Sequence, residues 1–178
     1  MEAYSSFTCI FVHQFLIVIL ISDERRLLAN HCWPSQMVLD WYQSPNKVKL
    51  YSSWNPGKNQ KWIATLDFGC NSGDGLVKFR SAKSPSKVLT VSTTSQESLY
   101  VSSEATGALN QLWRVDCESR HSHGLSNCVI SSAYNQSVGH FWPTDYVIDA
   151  YGYSCSNGAQ IGLYHNNDGL NQKWNFYN

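Results

Sequence analysis

One four-residue signature, Asn-Gln-x-Trp, occurs three times in this chain: at Asn59–Trp62, Asn110–Trp113 and Asn171–Trp174. A single Gln and Trp two residues apart arise by chance. Three copies, with their tryptophans 51 and 61 residues apart, mark an internal repeat of one structural unit. At 178 residues the repeats belong to one domain, long enough to bury a substantial core. Between the signatures, short apolar runs such as Gly75 to Arg80, Lys87 to Val91 and Ser98 to Ser102 are bounded by Ser, Asn, Gly and Pro. No window keeps the i, i+3, i+4 apolar spacing of an amphipathic helix. The pattern predicts an all-β domain whose strands close into a barrel, which removes exposed edges.

The formal net charge is zero, with 15% charged residues and no long basic run. Nucleic acid and acidic lipid are therefore unexpected partners. Aromatic residues make up 13% of the chain, including seven Trp and ten Tyr. Such rings fill a core, face a ligand, or do both.

The triple Asn-Gln-x-Trp pattern resembles the ricin B-chain type of lectin domain, the R-type or QxW family. The resemblance covers about Phe15 to the C-terminus and implies a β-trefoil of three four-stranded repeats, at about 15–66, 75–116 and 127–178, behind an N-terminal extension, 1–14. It also implies a carbohydrate-binding function.

Self-alignment at an offset of 109 residues, without gaps, places Ile21-Ser22 on Ile130-Ser131, His31 on His140, Trp33-Pro34 on Trp142-Pro143, and Val38 and Asp40 on Val147 and Asp149. This register predicts Phe15 to Ser22 as the opening strand of the first repeat. The competing assignment is a signal segment. Glu2, the absence of early Lys or Arg, and the interruption by His13 and Gln14 weigh against it. Seven apolar residues do not span a bilayer. The two Trp-Pro dipeptides are expected as packed loop corners before the Asp-bearing strands, since Pro holds its predecessor extended; a Trp beside a sugar site is the less favoured option.

Strand alternation proposes which residues face a ligand. With Gln172 and Trp174 on the core face, Asn171 points outward. With Ile161 and Leu163 inward, Gly162 and Tyr164 point outward; with Ile148 inward, Asp149 does. The first repeat offers the same outward set in Asp40, Lys49, Tyr51 and Asn59. An ionised carboxylate accepts hydrogen bonds from vicinal hydroxyls, an aromatic ring packs on the C–H patch of a pyranose, and an amide both donates and accepts. In R-type lectins the matching Asp, aromatic and Asn bind galactose or N-acetylgalactosamine, so the resemblance implies those roles for both sets. A sugar with an axial 4-hydroxyl leaves one ring face clear for Tyr164. Lys49 and Gly162 occupy a polar contact position in the family, and their difference predicts unequal sites. The second repeat has Thr90 in place of the Asp and Ser102 in place of the Tyr, and is expected to be structural.

Arg114 to Asn127 reads as a polar connector. Its Cys117, His121 and His123, with Cys128, match no common zinc spacing, so a Cys117–Cys128 disulfide or free thiols are preferred to a metal site. Six cysteines allow fifteen pairings. Their even number and the sequon at Asn135 favour secretion, while the missing basic leader segment favours the cytoplasm. No catalytic spacing stands out, so the expectation is a non-enzymatic lectin without cofactor or metal. The alternatives are the cell-binding subunit of a separate toxin or enzyme, and a protein-binding trefoil of the protease-inhibitor or cytoskeletal type.

Overall fold

The computed structural model describes residues 24–44, 46–53, 57–66, 76–94, 98–122, 124–134 and 146–177. Among these, twelve strands form and no α-helix does. The first repeat contributes β1 (Arg26–Ala29), β2 (Met37–Tyr42), β3 (Lys47–Ser52) and β4 (Trp62–Leu66). The second contributes β5 (Val77–Ser81), β6 (Ser84–Val91), β7 (Leu99–Ser103) and β8 (Trp113–His121). The third contributes β9 (Gly124–Ser132), β10 (Tyr146–Ala150), β11 (Ile161–His165) and β12 (Trp174–Tyr177).

Six of these strands close a barrel. β12 pairs with β1, β4 with β5, β5 with β8, β8 with β9 and β9 with β12. The ring is completed where the Arg25 and Trp62 backbones exchange hydrogen bonds of 2.8 and 2.7 Å. The remaining six strands form the hairpins β2–β3, β6–β7 and β10–β11. This is a β-trefoil, as the repeats implied.

Each Gln-x-Trp does a separate job at each of its three positions. The Trp side chains enter the core, where Trp62, Trp113 and Trp174 are among the largest fully buried groups. Their indole N–H groups donate to the backbone carbonyls of Leu39, Leu89 and Ile148, at 3.0, 3.3 and 3.0 Å. Each repeat's barrel strand is thereby fastened to its own hairpin. The carbonyl of the intervening residue accepts the N–H of the next repeat: Lys61 from Ala82 (2.9 Å), Leu112 from Ala133 (2.9 Å) and Lys173 from Asn30 (3.0 Å). The last of these closes the third repeat onto the first. Phe79 and Phe176 stack across the core with centroids 6.0 Å apart.

Four expectations are corrected. The strand in the opening position of the first repeat is β1, at Arg26–Ala29; Phe15 to Ser22, like the 1–14 extension, lies outside the described residues. Leu28 stands opposite Val38 as Ser131 stands opposite Val147, so the repeats match at offset 109 in β2 and β10 but at 103 in β1 and β9. Six more residues separate Ser131 from Val147 than Leu28 from Val38 (16 against 10), and an ungapped alignment cannot see that insertion. Arg114 to Asn127 is not a connector but most of the β8–β9 hairpin, in which Cys117 faces Cys128 and is bonded to it. The outer part of β8 is polar because Asp116 and Glu118 to His121 are exposed, and polar composition reads as loop. Ser84-Pro85-Ser86, whose Pro and Ser composition reads as the turn that opens the second repeat, is instead the start of β6, at a register shift where β6 meets β5. Finally, Trp33 is not packed into a loop corner: its side chain is 73% exposed. Trp142-Pro143 and the sequon at Asn135 lie outside the described residues.

Replacing Trp113 by Ala removes a core side chain and the anchor of the β6–β7 hairpin together. The expected loss is about 3–5 kcal/mol in urea denaturation; a loss below about 1 kcal/mol contradicts this role for the motif.

Candidate functional site

The Asn-Gln pair sits on a 3-10 turn, Lys58–Gln60 in the first repeat and Leu170–Gln172 in the third, rather than on a strand. Two-residue alternation therefore does not govern it, and both amides converge on the Asp of the neighbouring hairpin. In the third repeat Asn171 Nδ2 donates to Asp149 Oδ1 at 2.9 Å and Gln172 Nε2 to Asp149 Oδ2 at 2.9 Å. In the first, Asn59 Nδ2 reaches both Asp40 oxygens at 3.0 Å, and Gln60 Nε2 donates to Oδ2 at 2.8 Å. Each Gln also donates to a backbone carbonyl, Ser52 or His165. Both glutamines are buried like the tryptophans, and from there they position the acid.

The acids are not freely exposed either. Asp40 is 4% and Asp149 3% exposed, and Asn171 is buried. All of β2 but its last residue is buried, because one face meets the core and the other lies beneath the Asn-Gln turn. Each carboxylate is thus a buried, oriented acceptor that the protein donors leave short of saturated.

The cross-strand register puts the remaining expected residues beside each acid. Asp40 faces Lys49, and Val38 faces Tyr51; Asp149 faces Gly162, and Val147 faces Tyr164. Tyr51 and Tyr164 are 38% and 53% exposed, leaving ring surface for a ligand. Tyr164 is met edge-on by His165, whose Nε2 lies 3.0 Å from the Tyr146 hydroxyl. Gly162 is buried and brings no side chain. Lys49 is half-buried, bridges Gln160 through its backbone, and lines a cleft with Lys47, Ser98 and Gln160 where the three hairpins meet.

The second repeat lacks this chemistry. Ser102 faces Val88, the position of the two tyrosines. Its hydroxyl accepts from Gln111 Nε2 at 2.8 Å and lies 2.8 Å from Thr90 Oγ1, so two hydroxyls stand in for the carboxylate. Asn110 donates to the Val91 carbonyl at 3.0 Å.

Two features of these sites escaped sequence reading. Gly57 and Gly169 precede the Asn-Gln turns, and a Cβ on either would strike the Oδ1 of Asn59 or Asn171. The second repeat, without the acid, carries Ala108 there. The visible signal was Gly-x-Asn-Gln against Ala-x-Asn-Gln. The other is a disulfide, Cys32–Cys155, joining the loop after β1 to the loop after β10. His31, Cys32 and Cys155 form a cluster of metal-ligating types, but its two sulfurs are committed to each other.

Burial pushes the Asp149 carboxyl above its ordinary 3.8, against the pull of Gln172, Asn171 and nearby His31. Burial likewise lowers His31 below 6.5, opposed by its hydrogen bond to the Ser154 backbone and by Asp149.

No protein-family model and no curated protein matches the sequence. Solved structures do match. A designed threefold-symmetric protein, ThreeFoil, is 25% identical with TM-score 0.63, over 87% of this chain and 98% of its own. A mosquitocidal holotoxin is 17% identical with TM-score 0.64, over 87% of this chain and 17% of the toxin's. A ricin B-like lectin of Macrolepiota procera, solved with lactose, is 20% identical with TM-score 0.59, over 88% of this chain and 96% of its own. The chain therefore shares its β-trefoil fold with this ricin B-like lectin, the fold that the Gln-x-Trp repeats implied.

Two outcomes follow. Gly169→Ala forces Asn171 away from Asp149 and costs about 1–2 kcal/mol in urea denaturation, with displaced Asn171 side-chain amide signals; an unchanged midpoint with unchanged signals contradicts the clamp. A raised folded pKa means that the fold favours protonated Asp149. Its contribution is full below the unfolded value and is lost as pH rises through the folded one. Carboxyl 13C NMR should place the midpoint above 3.8; a midpoint at or below that value contradicts the burial argument.

Proposed function

We propose that this chain is a non-enzymatic carbohydrate-binding module with two sites, in the first and third repeats, for galactose or N-acetylgalactosamine-type glycans. The observation that carries this reading is the doubled constellation. A carboxylate clamped by Asn and Gln amides lies beside an exposed tyrosine in two repeats, and both groups are missing together from the third. Packing alone does not require that correlation, since the second repeat folds with Thr90 and Ser102 in those places.

Binding works by preorganisation. Asn and Gln fix the carboxylate so that its remaining lone pairs accept two vicinal sugar hydroxyls, and those charge-assisted bonds form without reorganising the acid. The tyrosine receives the C–H face of the ring. Lys49 adds a cationic donor only in the first repeat, and Gly162 leaves that place open in the third. A shallow site of this kind binds a monosaccharide in about the millimolar range, about 4 kcal/mol. Two sites on one rigid domain gain by avidity on a clustered glycan surface. The lactose-bound fungal lectin of the same fold supports the sugar class.

A second reading is the cell-binding part of a toxin or enzyme assembly, which the likeness to a small part of the mosquitocidal holotoxin favours. Two disulfides, Cys32–Cys155 and Cys117–Cys128, support a secreted, oxidising setting over the cytoplasm. Among the described residues no helix is long and apolar enough to cross a membrane.

Retention on immobilised galactose with elution by lactose tests the proposal. Wild-type protein is expected to be retained, and both the Asp40→Ala, Asp149→Ala variant and the Tyr51→Ala, Tyr164→Ala variant are expected to flow through. The tyrosines are exposed, so the second variant keeps its fold by circular dichroism. Folded wild-type protein that flows through, or a Tyr variant retained like wild type, overturns the assignment.

A further inference from the structure

The two proposed sites differ in a wall that the repeat pattern does not specify. From Asp40 to its cross-strand partner Lys49 is nine residues; from Asp149 to Gly162 is thirteen. The extra chain in the third repeat forms the 3-10 turn Tyr151–Tyr153 and the loop carrying Cys155. Tyr153 stands four residues after Asp149, where the first repeat has Ser44 four residues after Asp40.

Several constraints fix Tyr153 in place. It has φ +54° and follows Gly152 at +66°, so the chain doubles back after β10. Its ring meets His31 edge-on, with centroids 5.5 Å apart. Two residues on, Cys155 is bonded to Cys32, the neighbour of that histidine. The side chain is nevertheless 56% exposed. Its hydroxyl reaches the space above Gly169: a point at the position of a Cβ there is 2.9 Å from Tyr153 Oη and 2.6 Å from Asn171 Oδ1. Asn171 Nδ2 is spent on Asp149 and the Ala150 carbonyl, which fixes the amide so that buried Oδ1, without a protein donor, points to the Tyr153 side.

Asp149 consequently lies between two exposed tyrosines. Tyr164 stands beside Val147, before the acid, and Tyr153 follows the end of β10, after it. We propose that Tyr153, strapped by Cys32–Cys155, makes the third-repeat site an extended one that binds a disaccharide across both tyrosines, whereas the first-repeat site, with Ser44, binds a single ring. This rests on the sugar-binding reading above and adds ligand length as the difference between the sites.

Calorimetric titration with methyl β-galactoside and with lactose separates the two sites. In Tyr51→Ala protein, which leaves the third-repeat site, lactose is expected to bind about fivefold to tenfold tighter than the monosaccharide. In Tyr164→Ala protein, which leaves the first-repeat site, the ratio is expected near one. Adding Tyr153→Ser to Tyr51→Ala brings the third-repeat ratio down to about one. A ratio near one at the third-repeat site before that change, or one that Tyr153→Ser leaves high, overturns the extended site while the lectin assignment stands. Absence of binding to either sugar by the wild-type protein overturns both.

Discussion

Three hydrogen bonds, each from a buried indole N–H to the carbonyl of a hairpin residue, organise the molecule. Trp62, Trp113 and Trp174 reach Leu39, Leu89 and Ile148. An indole has one donor and no other polar group, so burying it without an acceptor would be costly. Satisfying it on the hairpin fixes the height of that hairpin over the barrel. The residue that follows the accepting carbonyl is Asp40, Thr90 or Asp149. Core packing thus sets where that residue stands.

The same turn that delivers each Trp to the core presents an Asn and a Gln to that next residue. Where it is an acid, the amides clamp it; where it is Thr90, Ser102 takes the Gln bond and Asn110 turns to the backbone. A buried donor needs a partner in either case. The fold therefore tolerates both versions, and only one of them offers a ligand an oriented charge. Stability is carried by all three repeats, while the proposed binding is carried by two.

How much of this was legible in the sequence follows from what each signal reports. Three Gln-x-Trp copies sufficed for the trefoil, because the motif is itself the core contact. Alternation put Asp40 with Lys49 and Tyr51, and Asp149 with Gly162 and Tyr164, on one face; in the register Asp40 lies opposite Lys49 and Asp149 opposite Gly162, with each tyrosine two residues further along. It does not govern the Asn-Gln pairs, which lie on 3-10 turns where Asn171 is buried with Gln172, and it overstated the exposure of the two acids, which the turns cover. The β8–β9 hairpin read as a connector because the outer part of β8, Asp116 and Glu118 to His121, is exposed and polar, although β9 buries Leu125, Cys128 and Ile130 in the core. Tyr153 was invisible for a different reason: its place depends on Cys155 meeting Cys32, 123 residues away.

The proposed ligand sites are the clamped carboxylates of the first and third repeats, and not the hydroxyl pair of the second. The most direct measurement is a 15N NMR titration with lactose that follows the side-chain amides of the three Asn-Gln pairs. The account predicts saturable shifts for Asn59, Gln60, Asn171 and Gln172, with Asn110 and Gln111 unmoved. Shifts confined to the Asn110 pair, or no shift in the other two while lactose binds, would contradict it.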